Sequence, residues 1–481
     1  MSDSPKYSKK TRWMTQPRLW LFGIWSFVFG MSDFRGFYLP ESDVLWEIRA
    51  GQDFIKIGDL PPHESFNWML GQGTWIPNSW LWSALLGQVY NAAGIVGISL
   101  LVSVLSIGTL LLAWRLIRLS GIKHYLTQLI ILLAFAISIF AWISGRPQQA
   151  DFFIILLFYN VVYSVRRVSF VRRIAILTVT SYLFSMLWMN FHLSAIASVP
   201  FFTAGILFVY RSESVKRKIV SAAMIACASF LGTLATPFGI TGLLKAEVVA
   251  QQSRNIIQEW LPLSTGSEVF IPVLSAIVLF GGILLLFSLL KKDWLFSLGL
   301  VVLALASLEA TRFAPFLAVY ALLGARNIPT VKLQAHKLIS ILVAILMTLI
   351  LLSGIVFAGY QIGHPDGIPR INPSNFDHLP ANARVLTMPD GGATILLYHQ
   401  DAMVSLDGRN DIIGEKRYRA VIKLFSGSPE TVNRWIGREQ VTAVFVEGPN
   451  LYRMDSTMET LKWTKHVTSD GALYVKPGIK S

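Results

Sequence analysis

The chain has 481 residues, of which 53% are hydrophobic and only 15% charged, and its mean hydropathy is +0.53; soluble domains run nearer about a quarter charged. That balance excludes a cytosolic enzyme, a disordered chain and a secreted disulfide scaffold, and the single cysteine, Cys227, can close no intrachain bridge and supplies no cysteine-based zinc site. The net charge of +14 would suggest nucleic acid in a soluble protein. In a polytopic membrane protein the same excess sits on cytoplasmic loops, so the expectation is a membrane protein with no nucleic-acid partner.

Lys6, Lys9, Lys10, Arg12 and Arg18 precede an apolar run over 19–31 with no small-residue cleavage site after it, which reads as an uncleaved first span. Further runs near the ~20 residues a bilayer needs cover 96–118, 125–144, 149–165, 174–190, 193–210, 219–235, 269–290, 294–308, 312–325 and 338–360. The expectation is about 11 crossings, with 294–325 open to a re-entrant hairpin instead. With a cytoplasmic N-terminus, the loops holding Arg115, Arg118 and Lys123; Arg166, Arg167, Arg172 and Arg173; Arg211, Lys216, Arg217 and Lys218; Lys291 and Lys292; and Arg326, Lys332 and Lys337 all fall inside. Segment 76–92, with Trp75, Trp80, Trp82 and Tyr90 in or beside it, suits a helix lying among headgroups.

After residue 360 the character changes. The last 121 residues carry 14 basic and 13 acidic side chains and no spanning run. Short β-rich segments at 384–388, 402–406, 441–446 and 472–475 alternate with helical patterns at 392–398, 416–425, 430–438 and 454–461, which predicts a small α/β domain over 361–481. The expected architecture is mainly α, a polytopic membrane domain over 1–360 with a first external loop at 32–95, followed by that extracytoplasmic domain.

Ionisable groups near spans are costly and usually mark function. On the outward face the topology collects Glu41, Asp43 and Glu47 from the first loop, Arg146 and Gln148 in Arg-Pro-Gln, Asn190 and His192 in Trp-x-Asn-x-His, Glu259-Trp260 and Arg312. Asp43, Trp46, Glu47 and Ala50 share one face of a helix by their spacing. Asp43 also stands where a carboxylate caps a helix start, a reading that needs no chemistry.

Taken in order, Asp43-Val-Leu-Trp-Glu-Ile-Arg-Ala-Gly51, Trp75-Ile-Pro-Asn-Ser-Trp80-Leu, then Arg-Pro-Gln, Trp-x-Asn-x-His, Pro-x-Gly, Glu-Trp, a late Arg and Leu406-Asp407-Gly408-Arg409, the chain resembles membrane glycosyltransferases of the GT-C superfamily. It is similar to the polyprenyl- or dolichyl-phosphate-sugar-dependent, mannosyltransferase-like members. The resemblance implies a lipid-phosphate sugar donor, a glycan, lipid or protein acceptor, a multi-pass plasma or inner membrane location, and Asp43 as catalytic base with Glu41 beside it. Glu-x-Asp departs from the commoner Asp-x-Asp, which leaves the metal unknown; a divalent cation such as Mg2+ or Mn2+ is the candidate.

The chemistry then asks for cations on the leaving phosphate, for which Arg146, His192 and Arg312 are the candidates. Glu47, Gln148, Asn190 and Glu259 are candidate substrate contacts. No phosphate-cradling glycine loop is present, which suits a lipid donor rather than a nucleotide sugar. Each residue has a plainer reading: Arg146 and Arg312 as snorkelling span ends, His192 with Asn190 as a packing pair, Glu259-Trp260 as an interfacial anchor, and Asp407-Gly408-Arg409, by preference, as a turn with a structural ion pair. Two other function classes compete, a flippase for a lipid-linked saccharide and a non-catalytic membrane assembly protein.

Overall fold

The computed structural model describes residues 17–37, 41–61, 63–70, 75–254, 257–263, 270–328, 337–363, 371–447 and 451–479. Of the basic residues in the topology reading, Lys6, Lys9, Lys10, Arg12 and Lys332 lie outside the described residues.

The chain opens with α1 (Pro17–Phe37) and α2 (Ser42–Ile57), the latter closing on Gly58 at φ 74°, a left-handed cap that glycine takes without a Cβ clash. Helix α3 (Trp80–Leu119) is interrupted at Ala93 and Gly94, whose backbone leaves helical angles. The break separates the tryptophan-rich part from the apolar part, at the place where hydropathy separates an interfacial helix from a span. Then come α4 (Tyr125–Ile139), α5 (Gln148–Ser164), α6 (Phe170–Phe191), α7 (Ser198–Val209), α8 (Val215–Leu234) and α9 (Gly239–Ser253). Helix α10 (Phe270–Ala276) runs through a π-helical stretch (Ile277–Leu284) into α11 (Leu285–Leu290). They are followed by α12 (Trp294–Glu309), α13 (Ala314–Ala321) and α14 (Lys337–Gly363).

Six of these rods among the described residues are long and apolar enough to cross a membrane: Trp80–Leu119, Tyr125–Trp142, Gln148–Arg167, Phe170–Phe191, Val215–Leu234 and Ile271–Leu290. Every residue of α13 is buried, so this stretch fills the interior of the bundle. Some polar side chains inside the rods are satisfied locally: Ser106, Ser138 and Ser307 each donate to the carbonyl four residues back, as suits an apolar surrounding. Helices α1 and α14 meet at Gly30 and Gly354, where a Cβ on either would run into the backbone of the other helix.

The basic loops converge. Arg115 donates to Asn160 and Ser164, Arg173 pairs with Glu213, Arg211 with Asp293, Asn327 also donates to Asp293, and Lys291 donates to the Arg326 carbonyl. These contacts draw residues 115–119, 160–173, 211–213, 291–293 and 326–327 to one end of the bundle.

Beyond α14 lie β1 (Arg384–Leu386), α15 (Pro389–Tyr398), β2 (Met403–Val404), α16 (Asn410–Ile413), α17 (Glu415–Leu424), α18 (Pro429–Glu439), β3 (Ala443–Glu447), α19 (Leu451–Thr460), β4 (Thr464–Val467) and β5 (Gly471–Val475). The sheet order is β2-β1-β3-β5-β4, parallel across β2, β1 and β3 and antiparallel across β3, β5 and β4. Strand β4 was not anticipated, because Thr-Lys-His-Val is a mostly exposed edge without an apolar alternation. The sheet is clipped to the segment before α3: Val404 N–H donates to the Phe66 carbonyl, Asn67 Nδ2 to the Ser405 carbonyl at 2.6 Å, and Trp68 Nε1 to the Val385 carbonyl.

Candidate functional site

The start of α2 and the turn before α5 face each other. Arg35, at the end of α1, donates from Nε to the Ile143 carbonyl at 2.7 Å and from Nη2 to that of Ala141, while Trp82 of α3 donates to the Gly145 carbonyl at 2.8 Å. Those bonds pin the backbone that carries Arg146. Its guanidinium then meets a carboxylate at each nitrogen: Nη1 to Glu259 at 2.5 Å, Nη2 to Asp43 at 3.1 Å and Nε to Glu41 at 3.6 Å. Glu41 also accepts from Ser144 and lies 4.0 Å from Arg35.

Glu41 occupies the N-cap position of α2 without a side-chain cap bond. Asp43 lies in the first turn and accepts from its own helix's Trp46 Nε1 at 3.3 Å. The Asp43 carboxylate therefore faces the cationic side chain rather than free backbone N–H groups. Burial pushes the Asp43 carboxyl above the ordinary range, against the pull of Arg146 and the Trp46 bond; burial does the same to Glu41 against Arg146 and Arg35. Burial also opposes ionisation of Glu259, but Arg146 and Arg312 outweigh it and hold that carboxyl below its usual value. Burial works against the Arg146 charge too, and the three carboxylates overcome it and raise its pKa further. Of the three carboxyls around Arg146, only that of Glu259 is held below its usual value.

Glu259 sits in a 3-10 turn (Gln258–Trp260) held against residue 311, since Thr311 Oγ1 donates to the Glu259 carbonyl and Thr311 N–H to that of Leu261. The neighbouring Arg312 stacks over Trp260, 4.2 Å from the ring centroid. Arg312 does not touch Asp43; it joins the cluster through Glu259. His192 is reached from another side: its Nδ1 lies 2.8 Å from Asp151 Oδ2 and 2.7 Å from Ser194 Oγ, and Asp151 further accepts from Trp188 Nε1 at 2.6 Å.

Three expected substrate contacts are placed differently from Glu259. Glu47 turns into α3, where its two oxygens accept from Ser79 at 2.8 Å and Ser83 at 2.6 Å, and burial raises its pKa to about 8. Asn190 is saturated, accepting from Trp80 Nε1 and donating to the carbonyls of Met186 and Ala235, so it braces α6 against α3 and the end of α8. Gln148 is buried at the start of α5, and its Oε1 has no hydrogen-bond donor among the described residues. Arg146, a candidate for phosphate, has all three nitrogens on carboxylates.

Residues from beyond α14 complete the surroundings. Ser42 Oγ donates to Asp390 Oδ1 at 2.6 Å, joining the start of α2 to α15. Gly408, at φ 91°, lies so close to Asp43 that a Cβ there would stand against Asp43 Oδ1. Next to it Arg409 is fully buried, paired with Asp407 at 2.5 Å and Glu64 at 2.6 Å and lying over the rings of Phe66 and Trp75. The Asp-Gly-Arg element is thus a turn with a structural ion pair that also walls Asp43.

Sequence reasoning passed over Asp151, Ser194, Glu64 and Asp390. Asp151 had a signal: it is the lone acidic residue in the apolar stretch Gln148–Arg167. Among the described residues no group of three or more His, Cys, Asp or Glu side chains is arranged to hold a metal ion. Three carboxylates, Glu41, Asp43 and Glu259, surround Arg146 instead, and this arrangement does not fit a divalent cation.

No protein-family model matches the chain, and no curated protein does. Solved structures do. The Archaeoglobus fulgidus oligosaccharyltransferase in its apo form aligns over 92% of this chain and 70% of that one, at 12% identity and a TM-score of 0.55. The same oligosaccharyltransferase in complex with Zn and sulfate aligns over 95% of this chain and 73% of that one, at 13% identity and a TM-score of 0.55. At such identities the likeness is one of fold alone: a bundle of apolar helices followed by a small C-terminal sheet.

Proposed function

We propose that this protein is an integral membrane glycosyltransferase that moves a hexosyl or pentosyl group from a polyprenyl-phosphate donor to an acceptor hydroxyl, with inversion, on the extracytoplasmic side. The observation that carries the reading is the convergence of Asp43, Glu41, Arg146 and Glu259 from three distant segments at 2.5–3.6 Å. The oligosaccharyltransferase fold supports the activity class. The basic loops gathered at one end of the bundle support a cytoplasmic N-terminus and about 11 crossings of the plasma or inner membrane. The acceptor is a glycan, a lipid or a protein.

In the reaction, the acceptor oxygen attacks the anomeric carbon while an Asp43 oxygen takes its proton. The bond from that carbon to the phosphate oxygen breaks, and polyprenyl phosphate leaves with the electron pair. One carboxylate suffices for inversion. Its raised pKa brings Asp43 closer to the working pH, where a base is most effective. Arg146 serves as a positioning residue that aims Asp43 and Glu41. Arg312, stacked on Trp260 and without an ion-pair partner among the described residues, and His192, oriented by Asp151, are the groups for the phosphate charge. Zinc is present in the oligosaccharyltransferase complex; here Glu41, Asp43 and Glu259 are occupied by Arg146.

The test is transfer from radiolabelled polyprenyl-phosphate sugars in membranes holding wild-type or Asp43→Asn protein at equal levels. Transfer that is lost in the variant supports the reading. Undiminished transfer removes Asp43 from the mechanism, and no transfer from any donor favours a flippase or an assembly protein.

A further inference from the structure

We propose that the crevice between α7, α8 and α12 binds an acidic phospholipid of the leaflet at the basic end of the bundle. This inference rests on the bundle lying in a membrane; only the exclusion of the donor as occupant draws on the glycosyl-transfer reading. The crevice has a volume of about 890 Å³ and runs from Val199 to Arg211 along α7. Its walls are apolar, with Phe201, Ala204, Leu207, Leu298, Val302 and Leu303 among them. Leu298 and Val302 are more than half exposed, so it opens sideways, where an acyl chain enters without crossing a polar barrier.

Its mouth is charged. Arg211, Lys218, Lys292 and Asp293 stand together there, three cations to one carboxylate. Asp293 is taken by Arg211 at 2.5 Å and by Asn327. Lys218 gives one bond to the Arg211 carbonyl, and neither Lys218 nor Lys292 has a carboxylate within ion-pair reach among the described residues. Trp294, beside Lys292 on the same rim, is 65% exposed, and indole rings so exposed on membrane helices sit at headgroup depth. An apolar slot ending in uncompensated ammonium groups at headgroup depth is complementary to an anionic amphiphile. Basic pockets between membrane helices recognise acidic lipid headgroups by this chemistry. The proposed donor is a poor match, because its phosphate belongs with Arg312 and His192 at the opposite end, which would leave the two lysines facing hydrocarbon.

The experiment is native mass spectrometry of the full chain in detergent with equimolar phosphatidylglycerol and phosphatidylcholine, with the thermal midpoint followed in parallel. Wild type should retain phosphatidylglycerol at least tenfold over phosphatidylcholine and melt higher in its presence. Lys218→Glu combined with Lys292→Glu should abolish that preference. Val302→Trp, which fills the slot without changing charge, should abolish retention. All three positions lie on the periphery, and an unchanged midpoint without lipid verifies the fold of each variant. Loss in both variants supports the proposal. Equal retention of the two lipids by wild type, or phosphatidylglycerol kept by either variant, overturns it. Displacement by polyprenyl phosphate also overturns it and assigns the crevice to the donor's tail.

Discussion

Asp43 and Glu47 lie one helical turn apart and show how surroundings divide similar carboxylates. Asp43 keeps an oxygen toward Arg146, whereas both Glu47 oxygens are used by serines. Asp43→Asn should lower transfer by about 10²–10⁴-fold, the usual contribution of a general base, with the thermal midpoint nearly unchanged. Because burial raises the pKa of Glu47 to about 8, its folded form holds a proton that the unfolded form has released. Its contribution to stability is therefore fully present below the unfolded value near 4.5 and is lost as the pH rises toward 8. Thermal midpoints measured between pH 5 and 8 should fall in wild type and stay flatter in Glu47→Gln. Arg146→Ala would strand three carboxylates and should destabilise by about 3 kcal/mol. Arg146→Lys should not restore transfer, since one ammonium cannot meet three carboxylates along three directions.

At the level of elements, the site depends on how closely α2 is approached by its neighbours. Gly51 of α2 and Gly87 of α3 are positions where a Cβ would collide with the other helix's backbone, and that proximity brings Ser79 and Ser83 to Glu47. Gly408 closes the opposite side of α2. Gly408→Ala must hold a left-handed φ of 91° and push a methyl group against Asp43, a backbone strain of about 1–2 kcal/mol. Transfer should drop well beyond what the accompanying small loss of thermal stability explains, and a variant with wild-type kcat/KM would show that this turn does not shape the site.

Across the whole molecule, the sheet-bearing unit and the segment between α2 and α3 share one buried ion cluster. Glu64 comes from before α3, and Asp407 and Arg409 from after β2. Arg409→Ala leaves two carboxylates buried without a cation and should cost about 3–5 kcal/mol. Because the lost contacts lie at the junction, limited proteolysis should cut residues 364–481 away from the variant's helical bundle at temperatures where wild type resists. Cleavage confined to other loops would place the weakness elsewhere.

How much could be foreseen follows from the range of the forces involved. Apolar runs, basic loops and the strands β1, β2, β3 and β5 are written in neighbouring residues, because hydropathy and strand alternation act over about two to twenty positions. The class of the protein and the alternating helices and strands of its C-terminal part could be read that way. The ion partners could not. Arg146 and Glu259 are 113 positions apart, and Ser42 and Asp390 are 348 apart. No local pattern encodes which carboxylate a given arginine will meet, that Glu47 turns inward to serines, or that Arg146 is surrounded by acids rather than left open for phosphate. Those outcomes were set when the helices came together, because a charge removed from water takes whichever opposite charge the packed backbone brings within reach.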